Sequence, residues 1–345
     1  MLVLAVAAGM GFAGSRPSQV DGREVFELDI YTHQTGTFTH VLGVAIAEVL
    51  NEVLPWVRAV SVESMGSIPN EQMMYDANDY KRQHTMYFGT LYNAYMGNGP
   101  FEGRRHTSSK IAFNFSLVMG GLATTNPAVH RLQDLEGRTI GIRAGVSAAA
   151  AQFVTLIESG VRTRMERLDF NAATEAILSG TVEAILPNWT AVTPDLRQWT
   201  GNPATMEFLA RARHVGFIDF PIDVDRRLRS TPGGPLENFY QMVVPIPPLT
   251  VDPRQTNVWY GVMANGPFAV DQIFSEDILF ELMTTLHENK EKLTNYHPQG
   301  AFLSPETMAL YTYPSEFHPG AMRFYNSVGA TPTSLEDFME KLSRN

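Results

Sequence analysis

The chain has no cysteine. That excludes disulfide frameworks, thiolate zinc sites and thiol nucleophiles together. It also has no run of basic residues: 26 Lys and Arg stand against 36 Asp and Glu, for a net charge of −10. A nucleic-acid partner needs a basic face for its phosphates, so none is expected. A small anion stays open, because one nearby guanidinium outweighs distant charge at short range. Long apolar runs are missing too, except at the start. Met1 to Gly14, MLVLAVAAGMGFAG, is apolar and rich in small residues, yet too short to span a bilayer. It reads as the core of a secretory signal lacking its basic leader, so 1–20 is expected to be a signal-like segment, with Met1 to about Gly14 removed on export to the periplasm. Glycine-rich phosphate loops of the Walker or dinucleotide type do not occur, and no cofactor is expected. His287-Glu288 lacks the second histidine four residues on that a zinc protease needs, so no metal is expected either.

What is present suits a folded chain with two cores: 345 residues, 44% hydrophobic and 18% charged. Glu24 to Thr32 alternates into a strand, a Gln34 to Thr37 turn follows, and Val41 to Leu54 is apolar at helical spacing. Val57 to Glu63 is a second strand, and Ser64 to Asn70 a small polar turn before a helix over Glu71 to Ala77. Thr85 to Gly89 reads as a short buried strand, and Lys110 to Thr124 as a long one crossing into a second domain. There, Thr139 to Ile142 is β-branched at alternate positions. Gly145 breaks the strand, Ser147 can cap, and Ala148 to Ala151 starts a helix. Asn171 to Gly180 is a capped helix and Val182 to Asn188 the next strand. Thr200 to Pro253, with its prolines and Gly233-Gly234, reads as an irregular return. Val258 to Met263 is a strand, Ser275 to Tyr296 one long helix, and Leu335 to Leu342 the last helix. Strands alternating with helices give parallel α/β units. The expected fold class is α/β with two α/β domains and a ligand cleft between them: 21–120 plus 250–345, and 121–249.

Turns rich in Ser, Thr, Asn and Gly recur at the strand ends. Ligands in open α/β sheets settle there, where helix N-termini present free N–H groups. The candidate ligand-binding residues are Thr35, Thr37, Phe38 and His40 in the first turn, Ser64, Ser67 and Asn70 in the second, and Thr90 in the third. Arg143, Val146 and Ser147 belong to the central turn, and Asn188 and Trp189 to the last. These turns supply hydroxyl and backbone donors without a catalytic base, which favours binding over turnover. Gly145-Val146-Ser147 also stands where a nucleophile elbow would, so a serine hydrolase using Ser147 is the alternative.

Several stretches resemble the TAXI type of solute receptor from TRAP transporters. Thr32 to Thr39 is similar to that family's Thr-Gly-rich stretch, and Ser64 to Asn70 stands where it has Thr-Gly-Gly-Ser-x-x-Asn. Leu132 to Arg138 matches its Leu-x-Asp-Leu-x-Gly-Lys/Arg entry. His318-Pro319-Gly320-Ala321-Met322-Arg323-Phe324-Tyr325, with His287-Glu288-Asn289 and Tyr296-His297-Pro298, is the most specific part. The resemblance implies a type II periplasmic binding protein fold. It implies a monomer that captures a small organic acid, carboxylate or amino-acid-like, by hinge closure and delivers it to TRAP membrane subunits, with no reaction. The chain departs from the family at the central turn, where Arg143-Ala144-Gly145-Val146-Ser147 replaces Gly-Ala-Pro-Gly-Ser. It also departs at Phe38-Thr39, in place of Tyr-Tyr, and at Gly89-Thr90-Leu91, in place of Gln-Ser-Asp.

Overall fold

A computed structural model describes residues 19–35, 37–89, 91–97, 101–143, 155–232, 241–311 and 316–343. A short ribbon, β1 (Gln19–Val20) with β2 (Arg23–Glu24), precedes the first unit. Alternation then makes β3 (Phe26–Tyr31), whose Leu28 and Ile30 point inward. Helix α1 (Phe38–Val53) buries Leu42, Ala45, Ile46, Val49 and Leu50, a stripe at helical spacing. Thr37 caps its start and Pro55 stops it. The chain continues through β4 (Val57–Val62), α2 (Ser67–Tyr75), α3 (Asp79–Gln83), β5 (Thr85–Phe88) and α4 (Leu91–Met96) to the long β6 (Ser109–Gly120) and β7 (Leu122–Thr124).

The smaller sheet takes β8 (Thr139–Arg143), β9 (Arg164–Leu168) and β10 (Ala184–Ile185), all mutually parallel, and adds β13 (Gly216–Ile218) through β7. The larger sheet contains β3, β4 and β5 in parallel, then β15 (Trp259–Asp271) antiparallel to β5, and β6 antiparallel to β15. Beyond these come β11 (Asn188–Ala191) and β12 (Trp199–Gly201), while β14 (Gln241–Ile246) pairs with β15. The fold class is thus the expected one, mixed α/β built on two sheets.

Within 121–249, β11, β12 and β14 pair in the larger sheet. Thr200 to Pro253 is not irregular: helices Pro203–Arg211 and Ile222–Ser230 lie in it with β13 and β14. Its prolines sit where they do no harm, Pro203 at the first turn of its helix and Pro221 just before the next.

β15 runs eight residues past its expected end, straight through Gly266-Pro267. A proline there removes a ladder donor, and the register shifts at that point as a bulge. The buried Asn114 side chain accepts from the Gly266 N–H at 3.0 Å, replacing the lost backbone acceptor. The expected single helix Ser275 to Tyr296 breaks at Asn289 into Glu276–Glu288 and Lys290–Tyr296. Asn289 there donates its side-chain amide back to Thr285 O at 2.9 Å.

The His318 to Tyr325 motif is structural. His318, fully buried, caps the helix Pro319–Ser327 by accepting from Gly320 N, and the Tyr325 hydroxyl donates to Met308 O and Ala112 O. Burial holds His318 below the usual imidazole range, which leaves Nδ1 free to accept. The unfolded chain therefore takes up this proton first. The stabilisation is complete above the ordinary imidazole value and is lost as pH falls through the lowered folded-state value. His297, also lowered by burial, acts in the same direction. Denaturant midpoints should drop between pH 7 and pH 5, and His318→Asn, which keeps a capping acceptor, should flatten that slope.

Candidate functional site

Because β3, β4 and β5 are parallel neighbours, their carboxyl ends open on one edge of the larger sheet. The hub of that edge is Thr32, a fully buried residue just past β3. Its carbonyl accepts from Ser64 Oγ at 2.8 Å and from Asn70 Nδ2 at 3.0 Å. Its own hydroxyl reaches Val62 O at 3.1 Å and His40 Nδ1 at 3.0 Å. Asn70 also donates to Phe88 O at 2.9 Å, so one amide ties the end of β3 to the end of β5. Ser64 Oγ in turn accepts from Gly66 N.

The rim above is fixed by Thr35, whose N–H and hydroxyl both donate to the Glu63 carboxylate, at 3.1 and 2.6 Å. These donors, the hydroxyl first, hold Glu63 below its usual carboxylate range. Thr37 caps α1, accepting from His40 N and donating to Gln34 O. Phe38 lies half-buried against Phe115. Six expected residues, Thr35, Thr37, His40, Ser64, Ser67 and Asn70, thus share one bonded loop cluster or begin the helix it supports.

Helix α2 starts in this cluster at Gly66, which takes φ +122, a conformation that side chains avoid. A Cβ there would also come within 3.1 Å of His33 Nε2. No side chain caps the α2 start, and Ser67, its first residue, is 4% exposed. Pro69 has no N–H and the Gly66 N–H is bonded to Ser64, so the Ser67 and Ile68 N–H groups, beside the Ser67 hydroxyl, are the donors this helix N-terminus offers an anion.

One turn further, fully buried Glu71 anchors α2 from beneath. It accepts from His106 Nδ1 at 2.8 Å, from the Tyr87 hydroxyl at 3.4 Å and from Ser109 Oγ. His106 Nε2 meets Ser108 Oγ at 2.7 Å, and Ser108 donates to buried Asp271 at 2.9 Å. Burial, with Glu71 beside it, pushes the Tyr87 hydroxyl well up, so it stays a donor. Sequence reasoning missed Thr32, Glu63, Glu71 and His106 as parts of this edge. Only the parallel strand order brings them together, and no spacing signals it.

Two expected residues belong elsewhere. Pro187 to Thr190 is not an open turn, since Asn188 to Ala191 forms β11, paired on both sides. Asn188 is buried and accepts from Asn202 Nδ2 at 2.6 Å. Trp189, 1% exposed, is a core ring packed near Phe217 and Trp259. Arg143 ends β8, its backbone in register with Leu168, and its side chain lies outside the described residues. Thr90, Val146 and Ser147 lie outside them as well. Among the described residues no group of three or more His, Asp and Glu side chains is placed to hold a metal ion, and no helix is long and apolar enough to cross a membrane.

A model of the NMT1-like family matches residues 30–329. No curated protein matches the chain by sequence. Among solved structures it is similar to a TctC solute binding protein from Polaromonas, at 13% identity over 88% of this chain and 98% of that one, with a TM-score of 0.46. It is also similar to the periplasmic aliphatic sulphonate binding protein from Escherichia coli, at 13% identity over 88% and 83%, with a TM-score of 0.44. An ancestral arginine-binding protein bound to glutamine is 12% identical over 81% of this chain and 100% of that one, with a TM-score of 0.42.

Proposed function

The chain belongs to the NMT1-like family, and from that premise we propose that it is a periplasmic solute-binding protein that captures a small organic acid between two α/β units. The observation that carries this is the uncapped start of α2, with Ser67, at the shared carboxyl edge of β3, β4 and β5. An anion there meets oriented donors without displacing a catalytic group. Arg143, at the end of β8, and Ser147 are the contributions proposed for the second unit, and contacts made to both units would bias the hinge toward closure. Delivery to TRAP membrane subunits by a monomer of the TAXI type rests on the stretches compared above, from Thr32 to Tyr325. No step of this reading requires turnover or a cofactor.

The test is a thermal-shift screen against organic acids, followed by calorimetry on whatever binds. A ligand at a hundred times its dissociation constant should add about 2.7 kcal/mol to stability. Ser67→Ala should then weaken binding by roughly tenfold to a hundredfold, the value of about 1.5–3 kcal/mol for a hydrogen bond to a charged group. Unchanged affinity in Ser67→Ala would move the site away from α2.

A further inference from the structure

The same edge carries aromatic side chains that the capture of an anion alone does not use. Phe88 closes β5, and its ring meets His33 edge-on at 5.0 Å between centroids and Phe115 edge-on at 5.4 Å. Phe38, at the start of α1, lies on the other side of Phe115 at 6.4 Å. Phe115 is fully buried, whereas His33, Phe38 and Phe88 each keep part of their surface open. Gly66 lets the His33 ring lie flush against the α2 start, since a Cβ there would press on it. Above them Met65 is 71% exposed in the turn that leads into α2, with its sulfur 3.9 Å from Gln34 Nε2.

An apolar, aromatic wall thus adjoins the anion-seeking start of α2. The three loops that form this edge contain no lysine or arginine between Thr32 and His40, between Glu63 and Asn70, or at Phe88 and Gly89. A second ligand carboxylate finds no lysine or arginine in these three loops and would meet Glu63. A planar ring fits what remains: it can lie edge or face against Phe88 and His33 while a thioether covers it.

We propose that the ligand is a monocarboxylate with an aromatic ring, its carboxylate at the α2 start and its ring against Phe88, His33 and Met65. This inference rests on the solute-binding reading and narrows it. The probes are sodium benzoate and phenylacetate, set against succinate and L-glutamate, each followed by thermal shift and calorimetry with the whole chain. One or both ring acids should bind and the other two should not. Phe88→Leu, which keeps apolar bulk, and Met65→Gln, at an exposed position, should each weaken ring-acid binding fivefold or more while the ligand-free melting temperature holds within a few degrees. Binding of succinate or L-glutamate without the ring acids would overturn the inference and leave the solute-binding reading standing. Ring-acid binding unchanged in both variants would also overturn it. If none of the four probes binds, the inference fails and the organic-acid reading loses its support with it.

Discussion

Glu71→Ala should unfold in denaturant about 3–5 kcal/mol more easily than the parent chain, the usual cost of breaking a buried polar pair by removing one side. The carboxylate is 0% exposed and serves His106, Tyr87 and Ser109 at once. Alanine leaves His106 Nδ1 and Ser109 Oγ without the carboxylate they share, while the Tyr87 hydroxyl keeps Ser109 Oγ as acceptor, and each buried group without a partner costs about 1–3 kcal/mol. Glu71→Gln keeps an acceptor oxygen at the same place and should cost less than half as much. The difference between the two variants separates lost hydrogen bonding from lost volume. Equal effects would mean that packing around the side chain, not its acceptor, holds α2. Since Ser67 stands one turn earlier and Asn70 immediately before it on the same helix, Glu71→Ala should also blunt ligand binding. Full affinity in a destabilised Glu71→Ala protein would show that the Asn70 amide positions the α2 start unaided.

The second large effect is expected where the chain passes from one sheet to the other. Gly121 lies between β6 and β7, and a Cβ there would sit 2.1 Å from two ring atoms of Trp259. That ring cannot move aside: it is 3% exposed, stacked on Phe217 at 4.8 Å, with Trp189 at 6.3 Å. Gly121→Ala should therefore cost about 3 kcal/mol, at the upper end for an overpacked core, and should alter tryptophan fluorescence. Trp259→Ala alone should cost about 3–5 kcal/mol through the cavity it opens. The double variant places the new methyl in that cavity, so its loss should fall short of the sum by at least about 1 kcal/mol. Strict additivity would mean that the backbone, and not the ring, absorbs the added carbon. Because Phe217 belongs to the smaller sheet and Trp259 to the larger, the same stack ties the two units together.

Several elements were legible from residues alone, and for local reasons. The spacing of Leu42, Ile46 and Val49 set α1, and alternation at Leu28 and Ile30 set β3, because both depend on period and not on partners. The polar turns at Thr35 to Thr37 and Ser64 to Asn70 were recognisable because hydroxyl and amide side chains bond nearby backbone. Trp189 was beyond that reach. A Pro-Asn-Trp-Thr sequence carries turn chemistry, yet here β6 and β12 pair with it from both sides and fold its ring into the core. The strand read at Val258 to Met263 runs on through Gly266-Pro267, because an acceptor for the Gly266 N–H comes from Asn114, 152 positions away. Glu71 was read only as the start of a helix, since nothing in SIPNEQMM announces that His106 and Tyr87 meet its carboxylate. The sequence by itself determined that elements such as α1, β3 and β4 form, and which loops carry donors, through contacts within a few residues. Only the tertiary structure decided which strand ends share an edge, because hydrogen-bonded neighbours in a sheet are set by pairing across hundreds of residues that no local pattern encodes.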